Sequence, residues 1–496
     1  MSKNYFLTID LGTSALKTIL FDPEFKLVSS GSRETETIHP KPTWAEQDQN
    51  IWVSSTKMAI KETLTKANAL PEEIDSIGMC AQMHGPSIVD ESANPLMPCL
   101  IWPDLRAVSQ SEAINQKLST RPDINIRRAI SAHYTAAKLL WIKENHPEVY
   151  QKAYKFLVPT DFLRTKLTGD FCTDPTNAAG TDSWSGWEKG EWNWDLIDFL
   201  GIRRSLFPEI YPSDKIIGSV TEKAASEMGL STSTRVITGG GDFSMTRPVL
   251  LRLEAERCLL LYLGTAPIGG LITKDGNFQG IGGMSASGGA GLKWFKEQFC
   301  PNEEYTAERL DKNPYSLMDQ EISRINPGSE GVVFLPHLMG ERMPYNDYAR
   351  GSFFGLSLGH TREHLMRAVI EGITFQLRSY WELARNSLGV EVDQIIVFGG
   401  GGKSRFWRQL IADVFGYPTY KLKYDDLSDL HLAVLSSIAM GYYKDLDEAY
   451  SNIDLSFIER LEPSTEYKED IEKTYKLFRK VEDSLEKVYN PEYVFF

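Results

Sequence analysis

Short apolar runs alternate with polar turns at the start of the chain. Residues 5–9 and 17–21 are strand-like, and residues 10–14 between them have the composition of a turn. A helix is predicted from about residue 50 to residue 67, because apolar side chains recur there at roughly 3.6-residue spacing. Residues 74–79 are predicted to form the next strand. Strands interleaved with helices of this length indicate an α/β architecture.

The second half of the sequence shows the same alternation. Residues 258–262 and 394–398 are apolar and strand-like, and a long helix is predicted over residues 362–388, with Thr361 at its N-cap. A glycine loop at 399–402 follows, and then a helix over about residues 405–415. The last thirty residues have a charged helical pattern, which indicates a solvated packing helix.

One short segment occurs twice. Residues 11–15 read LGTSA and residues 263–267 read LGTAP, each directly after an apolar strand and about half the chain apart. This repetition predicts two similar halves, each contributing a loop to a shared cleft. The glycine run before Asp242 is the predicted boundary, with residues 1–242 as the N-terminal domain and residues 243–496 as the C-terminal domain.

Composition excludes several classes of protein. The chain has 496 residues and a formal net charge of −14, so we expect no nucleic-acid partner, because phosphate binding requires clustered cations. No segment reaches the roughly 18 consecutive apolar residues of a membrane span. Five scattered cysteines without a C-x-x-C pair argue against a disulfide scaffold or a cysteine-based zinc site. These features, with no apolar signal region at the start, predict a cytoplasmic protein.

The glycine loop of the second half lies between a predicted strand and a predicted helix. It ends in Gly402-Lys403-Ser404, like a P-loop, but Val397 stands where that motif requires its first glycine. Four consecutive glycines still let a ligand approach bare backbone at a helix N-terminus, where amide groups favour nucleotides. An ordinary strand-to-helix turn is the alternative.

Two further loops carry candidate chemistry. Residues 10–17 combine a carboxylate, a glycine, two hydroxyls and a lysine, which are the groups that hold Mg²⁺ and phosphate oxygens. Asp242 follows three glycines at a predicted strand end, where a carboxylate is placed to act as a general base on a substrate hydroxyl. Each loop taken alone is also compatible with an ordinary polar turn.

Taken together, these loops resemble the FGGY family of carbohydrate kinases, specifically its xylulose-kinase-like branch. The resemblance extends over about residues 5–443, with the motifs in the family's order. The matching segments are the phosphate loops at 10–17 and 263–270, the sugar-binding segment 82–85 with Trp102, Asp104 and Arg106, the hinge signature at 336–344, 351–355 and 367–372, and the adenosine motif at 398–416.

The resemblance implies a fold and an activity. The fold would be two α/β domains of the actin/sugar-kinase type, ribonuclease H-like, around a central cleft. The activity would be ATP-dependent transfer of the γ-phosphoryl group to a hydroxyl of a small ketose. D-xylulose is the favoured substrate, and another ketose, a polyol or an aldonate are the alternatives. ATP and Mg²⁺ would be the cofactors, and a homodimer is compatible with the resemblance.

The resemblance also assigns residues. Asp242 would be the catalytic base and Asp10 would organise Mg²⁺. Met83 and His84 would touch the sugar, and Thr13 and Lys17 would meet the transferring phosphoryl group. The full assignment is Gln82, Met83, His84, Trp102, Asp104 and Arg106 for the sugar, and Thr13, Ser14, Lys17, Gly264, Thr265, Gly400, Gly401 and Ser404 for ATP.

Several positions depart from the family pattern. Phe243 stands where an amide side chain usually helps to bind the sugar, Ala266 replaces a common serine, and residues 432–434 read LAV instead of GAA. The phosphate and base machinery is therefore predicted to be intact and the sugar pocket altered. A degenerate kinase that senses sugar and an actin-like nucleotide clamp are the competing interpretations, and sugar-dependent ATP consumption would separate the kinase from both.

Overall fold

A computed structural model shows two compact α/β units. It describes residues 4–126, 128–186, 189–253, 255–275, 278–283, 287–342, 345–346 and 348–489. The first unit comprises Met1–Arg252 and Asp426–Asp454, and the second comprises Leu253–Asp425 and Leu455–Phe495. Among the described residues, no helix has the length and apolar composition needed to cross a bilayer.

The segment up to Arg252 carries thirteen strands and nine α-helices. The strands are β1 (Tyr5–Leu11), β2 (Ala15–Phe21), β3 (Leu27–Glu34), β4 (Glu46–Gln47), β5 (Ile74–Ala81), β6 (Ser87–Val89), β7 (Cys99–Leu100), β8 (Lys155–Leu157), β9 (Cys172–Thr173), β10 (Glu209–Ile210), β11 (Ile216–Ser219), β12 (Arg235–Ile237) and β13 (Gly240–Gly241). The helices are α1 (Gln49–Ala67), α2 (Val108–Leu118), α3 (Thr135–Asn145), α4 (Pro147–Lys152), α5 (Pro159–Thr168), α6 (Pro175–Gly180), α7 (Trp194–Phe199), α8 (Glu222–Met228) and α9 (Asp242–Leu250). These counts apply to the described residues.

The rest of the chain continues the same alternation of strands and helices. Its strands are β14 (Cys258–Tyr262), β15 (Ile268–Ile272), β16 (Phe278–Gly283), β17 (Val333–Leu335), β18 (Glu341–Arg342), β19 (Tyr345–Asn346), β20 (Ser352–Phe354), β21 (Gln394–Phe398), β22 (Thr419–Leu422) and β23 (Phe457–Leu461). Its helices are α10 (Gly288–Phe299), α11 (Pro301–Leu310), α12 (Pro314–Ile322), α13 (Arg362–Leu388), α14 (Arg405–Phe415), α15 (Leu427–Ala439), α16 (Leu446–Tyr450) and α17 (Lys468–Leu485).

The main sheet of the first unit has the strand order β11-β12-β5-β1-β2-β3, and β13 also pairs with β5. Strands β1, β2 and β3 form an antiparallel meander, whereas β5 is parallel to both β1 and β12. Phe6, Leu7 and Ile9 of β1 are fully buried on alternating faces. A central strand covered on both sides reads as a continuous apolar run, as the sequence of β1 does.

The main sheet of the second unit repeats this arrangement. Its order is β16-β15-β14-β21-β22-β23. Strands β14, β15 and β16 form an antiparallel meander, β21 and β22 run parallel to β14, and the edge strand β23 is antiparallel to β22. The two copies of the repeated segment follow β1 and β14, which occupy equivalent places in the two sheets. The prediction of two similar halves is therefore confirmed at the level of sheet topology.

Most long elements lie where the sequence pattern placed them. Helices α13 and α14 and strands β14 and β21 have the predicted bounds, and α1 begins one residue before its predicted start. Helix α13 is the central helix of the second unit, with Ile370, Ile373 and Leu377 almost completely buried in its core. Every residue from Met366 to Leu377 is buried, so the middle of this helix is enclosed on all sides.

The observed division of the chain differs from the predicted one. The first unit extends to Arg252, because helix α9 packs into it through Met245, which joins a buried cluster with Cys80 and Ile237. Helix α15 belongs to the same cluster through Leu432 and Leu435, although the prediction assigned it to the C-terminal domain. An apolar helix pattern shows that a helix is buried but not against which sheet.

Candidate active site

Three neighbouring chain segments in the first unit end at the same edge of its sheet. Asp10 is the penultimate residue of β1, Gln82 follows β5, and Asp242 follows β13. Strands β1 and β13 are both parallel to β5, with Asp10 opposite Cys80 and Gly241 opposite Ala81. Ligands of open α/β sheets bind outside the carboxyl ends of parallel strands. This edge is therefore the candidate site of the first unit.

The glycine run before Asp242 is required by close backbone approach. Gly239 has φ +70°, and a β-carbon there would collide with the carbonyl oxygen of Met79. A β-carbon at Gly241 would lie 2.5 Å from Sδ of Met83. The bare backbone thus lets the chain pass directly beside β5 and begin helix α9 at Asp242.

The negative charge of Asp10 acts on the carboxyl group of Asp242. Burial raises the pKa of Asp242 to about 7, the negative charge of Asp10 adds to the shift, and the N–H of Phe243 opposes it by donating to Oδ1 over 2.8 Å. Burial also raises the pKa of Asp10, against the opposing charge of Lys17. Desolvation therefore raises the pKa of both carboxyl groups above the ordinary value for aspartate.

Asp10 has the properties of a ligand for a hard cation. Within the described residues, its buried Oδ1 has no hydrogen-bond partner. Also within those residues, no group of three or more His, Cys, Asp or Glu side chains is arranged to hold a metal ion. Mg²⁺ is commonly held by one or two carboxylates together with substrate phosphates and water, so a single carboxylate with an open oxygen fits this ion.

Sequence reasoning missed two acidic residues of this site. Lys17 forms an ion pair with Asp426, and Asp429 accepts a hydrogen bond from Thr8 Oγ1 over 2.6 Å. Asp429 is completely buried, and burial together with the charge of Asp10 raises its pKa well above the usual value. Both aspartates lie at the start of α15, more than 400 residues from Asp10 along the chain. Only their i, i+3 spacing was visible in the sequence, and it does not indicate a partner.

Thr13 holds the first phosphate loop in a buried network. Its hydroxyl donates to Gln82 Oε1 over 3.1 Å and accepts from Trp102 Nε1 over 2.8 Å, and its carbonyl accepts from Gln47 Nε2 over 2.8 Å. Three residues assigned to the site are thereby brought into contact. The carbonyl of the next residue, Ser14, accepts from the N–H of Thr35 over 3.1 Å.

Asp104 and Arg106 form a buried ion pair. Arg106 donates through Nε and Nη2 to the two carboxylate oxygens of Asp104 over 2.9 and 2.8 Å, and Nη2 also lies 2.7 Å from Glu46 Oε1. The guanidinium group lies 3.8 Å from the centre of the Trp44 ring. These contacts hold the loop that carries Trp102, and they favour a positioning role over the predicted direct contact with sugar, which stays a prediction.

Met83 and His84 lie beside the glycine run that leads to Asp242. His84 Nδ1 is 2.7 Å from the carbonyl oxygen of Gly180, and its ring meets Tyr134 edge to face with centroids 4.4 Å apart. The backbone of His84 has φ +75°, which is uncommon for a residue with a β-carbon. The predicted sugar-binding segment therefore has a constrained conformation next to the candidate base.

The second unit places its own candidate loops side by side. The N–H of Leu263 donates to the carbonyl of Phe398, and the N–H of Gly401 donates to the carbonyl of Leu263, both over 2.9 Å. The loop with Gly264 and Thr265 and the loop with Gly400 and Gly401 thus adjoin at the carboxyl edge of β14 and β21.

Helix α10 and helix α14 fix these two loops. The N–H groups of Gly289 and Ala290 donate to the carbonyls of Gly264 and Thr265 over 3.2 and 3.0 Å. Ser404 is the N-cap of α14, accepting from the N–H of Trp407 over 3.0 Å and donating to Asp319 Oδ2 over 2.7 Å. Gly400, in contrast, is exposed. The backbone of Gly400, more than the Ser404 side chain, is accessible to a ligand.

One segment of the predicted hinge signature, residues 367–372, carries a buried ion pair. Arg367 Nε donates to Glu371 Oε1 over 2.7 Å, and the same carboxylate accepts from the N–H of Gly328 and from Ser329 Oγ. The signature also includes Met343 and Pro344, which lie outside the described residues. Glu371, held by Arg367, therefore ties α13 to the turn at residues 328–329.

Comparison with known proteins defines the class. Residues 5–247 match the N-terminal domain of the FGGY family of carbohydrate kinases, and residues 257–440 match the C-terminal domain of that family. The chain belongs to this family, and the sugar-kinase prediction is confirmed: the protein is an enzyme that phosphorylates a carbohydrate.

Individual relatives narrow the class. The xylulose kinase of Bacillus subtilis strain 168 is 31% identical over 465 residues, which cover 90% of each chain, and the gluconokinase of the same strain is 27% identical over 90% of this chain and 89% of its own. The crystal structure of a ligand-bound xylulose kinase from Lactobacillus acidophilus superposes with a TM-score of 0.74, 25% identity and coverage of 98% of this chain and 99% of its own. The chain is thus similar to kinases of a ketose and of an aldonate.

Proposed function

We propose that the protein is an ATP- and Mg²⁺-dependent kinase of a small ketose, with D-xylulose as its substrate. The observation that carries the proposal is Asp242, a half-buried carboxylate at the carboxyl edge of the first sheet that lies within the field of Asp10, with its pKa raised to about 7. A general base works best when its pKa lies near the operating pH. The similarity to xylulose kinases at 31% identity supports the choice of sugar.

Asp242 is the group that accepts the proton. As the sugar hydroxyl attacks the γ-phosphorus of ATP, its proton passes to Asp242, the new P–O bond forms, the bond to the β-phosphate oxygen breaks, and ADP leaves. Asp10 and the phosphate oxygens would hold Mg²⁺, which when bound neutralises charge on the phosphates. The enzyme's contribution is mainly positioning and charge stabilisation, to which a base adds a factor of about 10²–10⁴.

The loops of the second unit support nucleotide binding. Gly400 exposes its backbone between a strand and a helix, and the N–H of Gly401 ties this loop to the loop with Gly264 and Thr265 by donating to the carbonyl of Leu263. Bare backbone amides at such a position suit phosphate and ribose oxygens. We assign ATP to this edge of the second sheet.

A coupled assay of ADP release tests the function. With Mg²⁺ present, D-xylulose is expected to give the highest kcat/KM in a panel with D-ribulose, xylitol and gluconate. ATP consumption without any sugar should be negligible. ATP hydrolysis that does not depend on sugar, or sugar binding without turnover, would contradict the proposal.

The variant Asp242→Asn tests the assignment of the base. We expect turnover to fall about 10²–10⁴-fold while the Kd for ATP stays within a few-fold, because the amide keeps the shape but accepts no proton. The matched control is Asp198→Asn, which alters an exposed ion pair with Arg204 in the same unit and should leave kcat unchanged. Unaltered turnover in Asp242→Asn would remove the base assignment.

The second candidate function is a kinase that prefers gluconate to D-xylulose. Gluconokinases are among the similar proteins, and Phe243 alters the expected contact with the sugar. The same panel decides between the two.

A further inference from the structure

The glycine run that leads to Asp242 has no side chains to hold it in place. Residues 239–241 are all glycine, and Gly241 is the N-cap of α9, the helix that begins at Asp242. Such a run is anchored through its backbone polar groups and through the side chains that pack on it. The position of the Asp242 carboxylate therefore depends on which neighbouring groups bind this backbone.

Helix α5 anchors two carbonyl groups of this segment. Arg164 Nη1 donates to the carbonyl of Thr238 over 2.5 Å, and Thr160 Oγ1 donates to the carbonyl of Gly240 over 3.1 Å. Both side chains are almost completely buried. Neither of these two bonds involves the N–H of Gly241, which is the last backbone donor before Asp242.

Thr176, in the first turn of α6, binds that N–H. The N–H of Gly241 donates to Thr176 Oγ1 over 2.9 Å, and the same hydroxyl donates to Asp174 Oδ1 over 2.5 Å. A hydroxyl group has one proton and a carboxylate only accepts, so the proton points to Asp174 and the lone pairs of the hydroxyl oxygen remain for Gly241. Asp174 thus fixes the orientation in which Thr176 accepts.

The burial of Asp174 is more than a helix cap requires. The residue is 0% exposed, and its carboxylate accepts from the N–H of Thr176 over 2.7 Å and from Asn177 Nδ2 over 2.6 Å. An exposed aspartate, asparagine or serine caps a helix equally well, whereas burying a carboxylate is costly unless its oxygens are hydrogen-bonded. The bond from the Thr176 hydroxyl is the contact that links this buried carboxylate to the glycine run.

Thr176 also fills the space beside the glycine run. A β-carbon at Gly240 would lie 2.8 Å from Thr176 Oγ1 and 2.5 Å from Cε of Met245. The hydroxyl therefore packs against Gly240 and binds Gly241, the two residues that precede Asp242. Without it, the run can shift, and misplacing a reacting group by about 1 Å can lower the rate of a reaction about 10²-fold.

We propose that Thr176 is a positioning residue for the reaction. It accepts from Gly241 while Asp174 holds its own proton, and so fixes the place of the Asp242 carboxylate at the start of α9. Thr176 lies outside the residues that the family resemblance assigned. The inference rests on the proposed kinase function and adds a residue that acts on the base through the backbone.

The test compares Thr176→Val with Thr176→Ser. Valine keeps the shape but offers no acceptor to Gly241, so kcat with D-xylulose should fall about 10–100-fold while the KM values for D-xylulose and ATP stay within about three-fold. Serine restores the hydroxyl and should return kcat to within about three-fold of the wild type. Thr176→Ala removes the hydroxyl without adding bulk and gives the same comparison if the valine variant does not fold.

The matched control is Thr56→Val in α1 of the same unit. Thr56 is 1% exposed and donates through Oγ1 to the carbonyl of Trp52 over 2.8 Å, so this change also removes a buried hydroxyl but should leave kcat unaltered. Thermal unfolding of every variant identifies an effect that acts only through stability. The inference is overturned by an unchanged kcat in Thr176→Val, by a raised KM for D-xylulose at unchanged kcat, which would mean direct contact with the sugar, or by a failure of serine to restore kcat.

Hydrogen exchange separates this inference from the kinase proposal, because it needs no turnover. Overlapping peptides across residues 238–245 report the exchange of the Gly241 amide, which should be about 10-fold faster in Thr176→Val and unchanged in Thr176→Ser and Thr56→Val. If the exchange changes as expected but the wild type consumes no ATP with any sugar, the anchor is supported and the kinase proposal fails. If turnover is normal and Thr176→Val alters the exchange without lowering kcat, the kinase stands and the positioning role fails.

Discussion

Asp242 is subject to opposing effects on its charge. A position in the first turn of a helix and the hydrogen bond from the Phe243 N–H both stabilise a carboxylate. Burial and the nearby charge of Asp10 act in the opposite direction and outweigh them, since the pKa is raised to about 7. A carboxylate with this pKa accepts a proton readily at neutral pH, which an ordinary surface aspartate does poorly.

We expect kcat/KM for the sugar to rise as the pH rises through about 7. Only the deprotonated form of Asp242 accepts the proton of the hydroxyl, so activity is lost below the raised pKa and is complete above it. The profile is measured from pH 5.5 to 9 at constant ionic strength and saturating Mg²⁺, with Asp198→Asn as the control that keeps the ascending limb. A profile that is flat over this range would show that Asp242 does not titrate as the base.

Thr13 offers a second test at the scale of single residues. Thr13→Val keeps the shape but leaves Trp102 Nε1 and Gln82 Oε1 without their buried partner, so we expect a loss of about 1–3 kcal/mol in the free energy of unfolding. Urea unfolding measures this loss, and the exposed helical residue Thr65, changed to Val, should cost less than about 0.5 kcal/mol. Unchanged stability with a large fall in kcat would instead favour the predicted contact of the hydroxyl with phosphate.

Regular elements were predictable because burial leaves a periodic pattern in the sequence. Helix α14 buries one face through Trp407, Leu410, Ile411 and Val414, and its predicted bounds are the observed ones. The contacts of Asp429 with Thr8 and of Thr176 with Gly241 leave no such pattern, because the partners lie far apart in the sequence and side-chain pairing has no period. The resemblance to a family located Asp242 and Asp10, but it did not reveal that Thr13, Asp104 and Arg106 use their polar atoms within the protein.

The packing of helix α10 on the second phosphate loop can be tested with two glycines of that helix. A β-carbon at Gly289 would collide with the carbonyl oxygen of Gly264, whereas one at Gly291 would lie 3.7 Å from Leu338 Cδ1, an ordinary contact. Gly289→Ala is therefore expected to displace the loop and raise the KM for ATP about 5–10-fold with little change in the KM for sugar. Gly291→Ala is the matched control, and equal effects of the two changes would mean that the loop does not depend on this approach.

At the scale of the whole molecule, the two main sheets share one strand order, but the chain does not divide cleanly between them. The segment Asp426–Asp454 belongs to the first unit although the 173 residues Leu253–Asp425 of the second unit precede it. Helix α15 lies directly on β5, since a β-carbon at Gly78 would be 3.1 Å from Cβ of Leu432. Leu432 and Leu435 complete the buried cluster with Ile237 and Met245.

A fragment of residues 4–252 should therefore lack part of its own core. Without α15 it exposes the apolar surface that Leu432 and Leu435 cover, and burial of each such side chain is worth about 1.5–3 kcal/mol. We expect this fragment to aggregate or to unfold without a cooperative transition. The same fragment joined through a flexible linker to residues 426–454 should unfold cooperatively, as followed by circular dichroism and calorimetry. The control replaces Leu432 and Leu435 by Ser in the joined fragment, and this change should abolish its cooperative unfolding. Cooperative unfolding of residues 4–252 alone at the same Tm would mean that α15 is dispensable for the first unit.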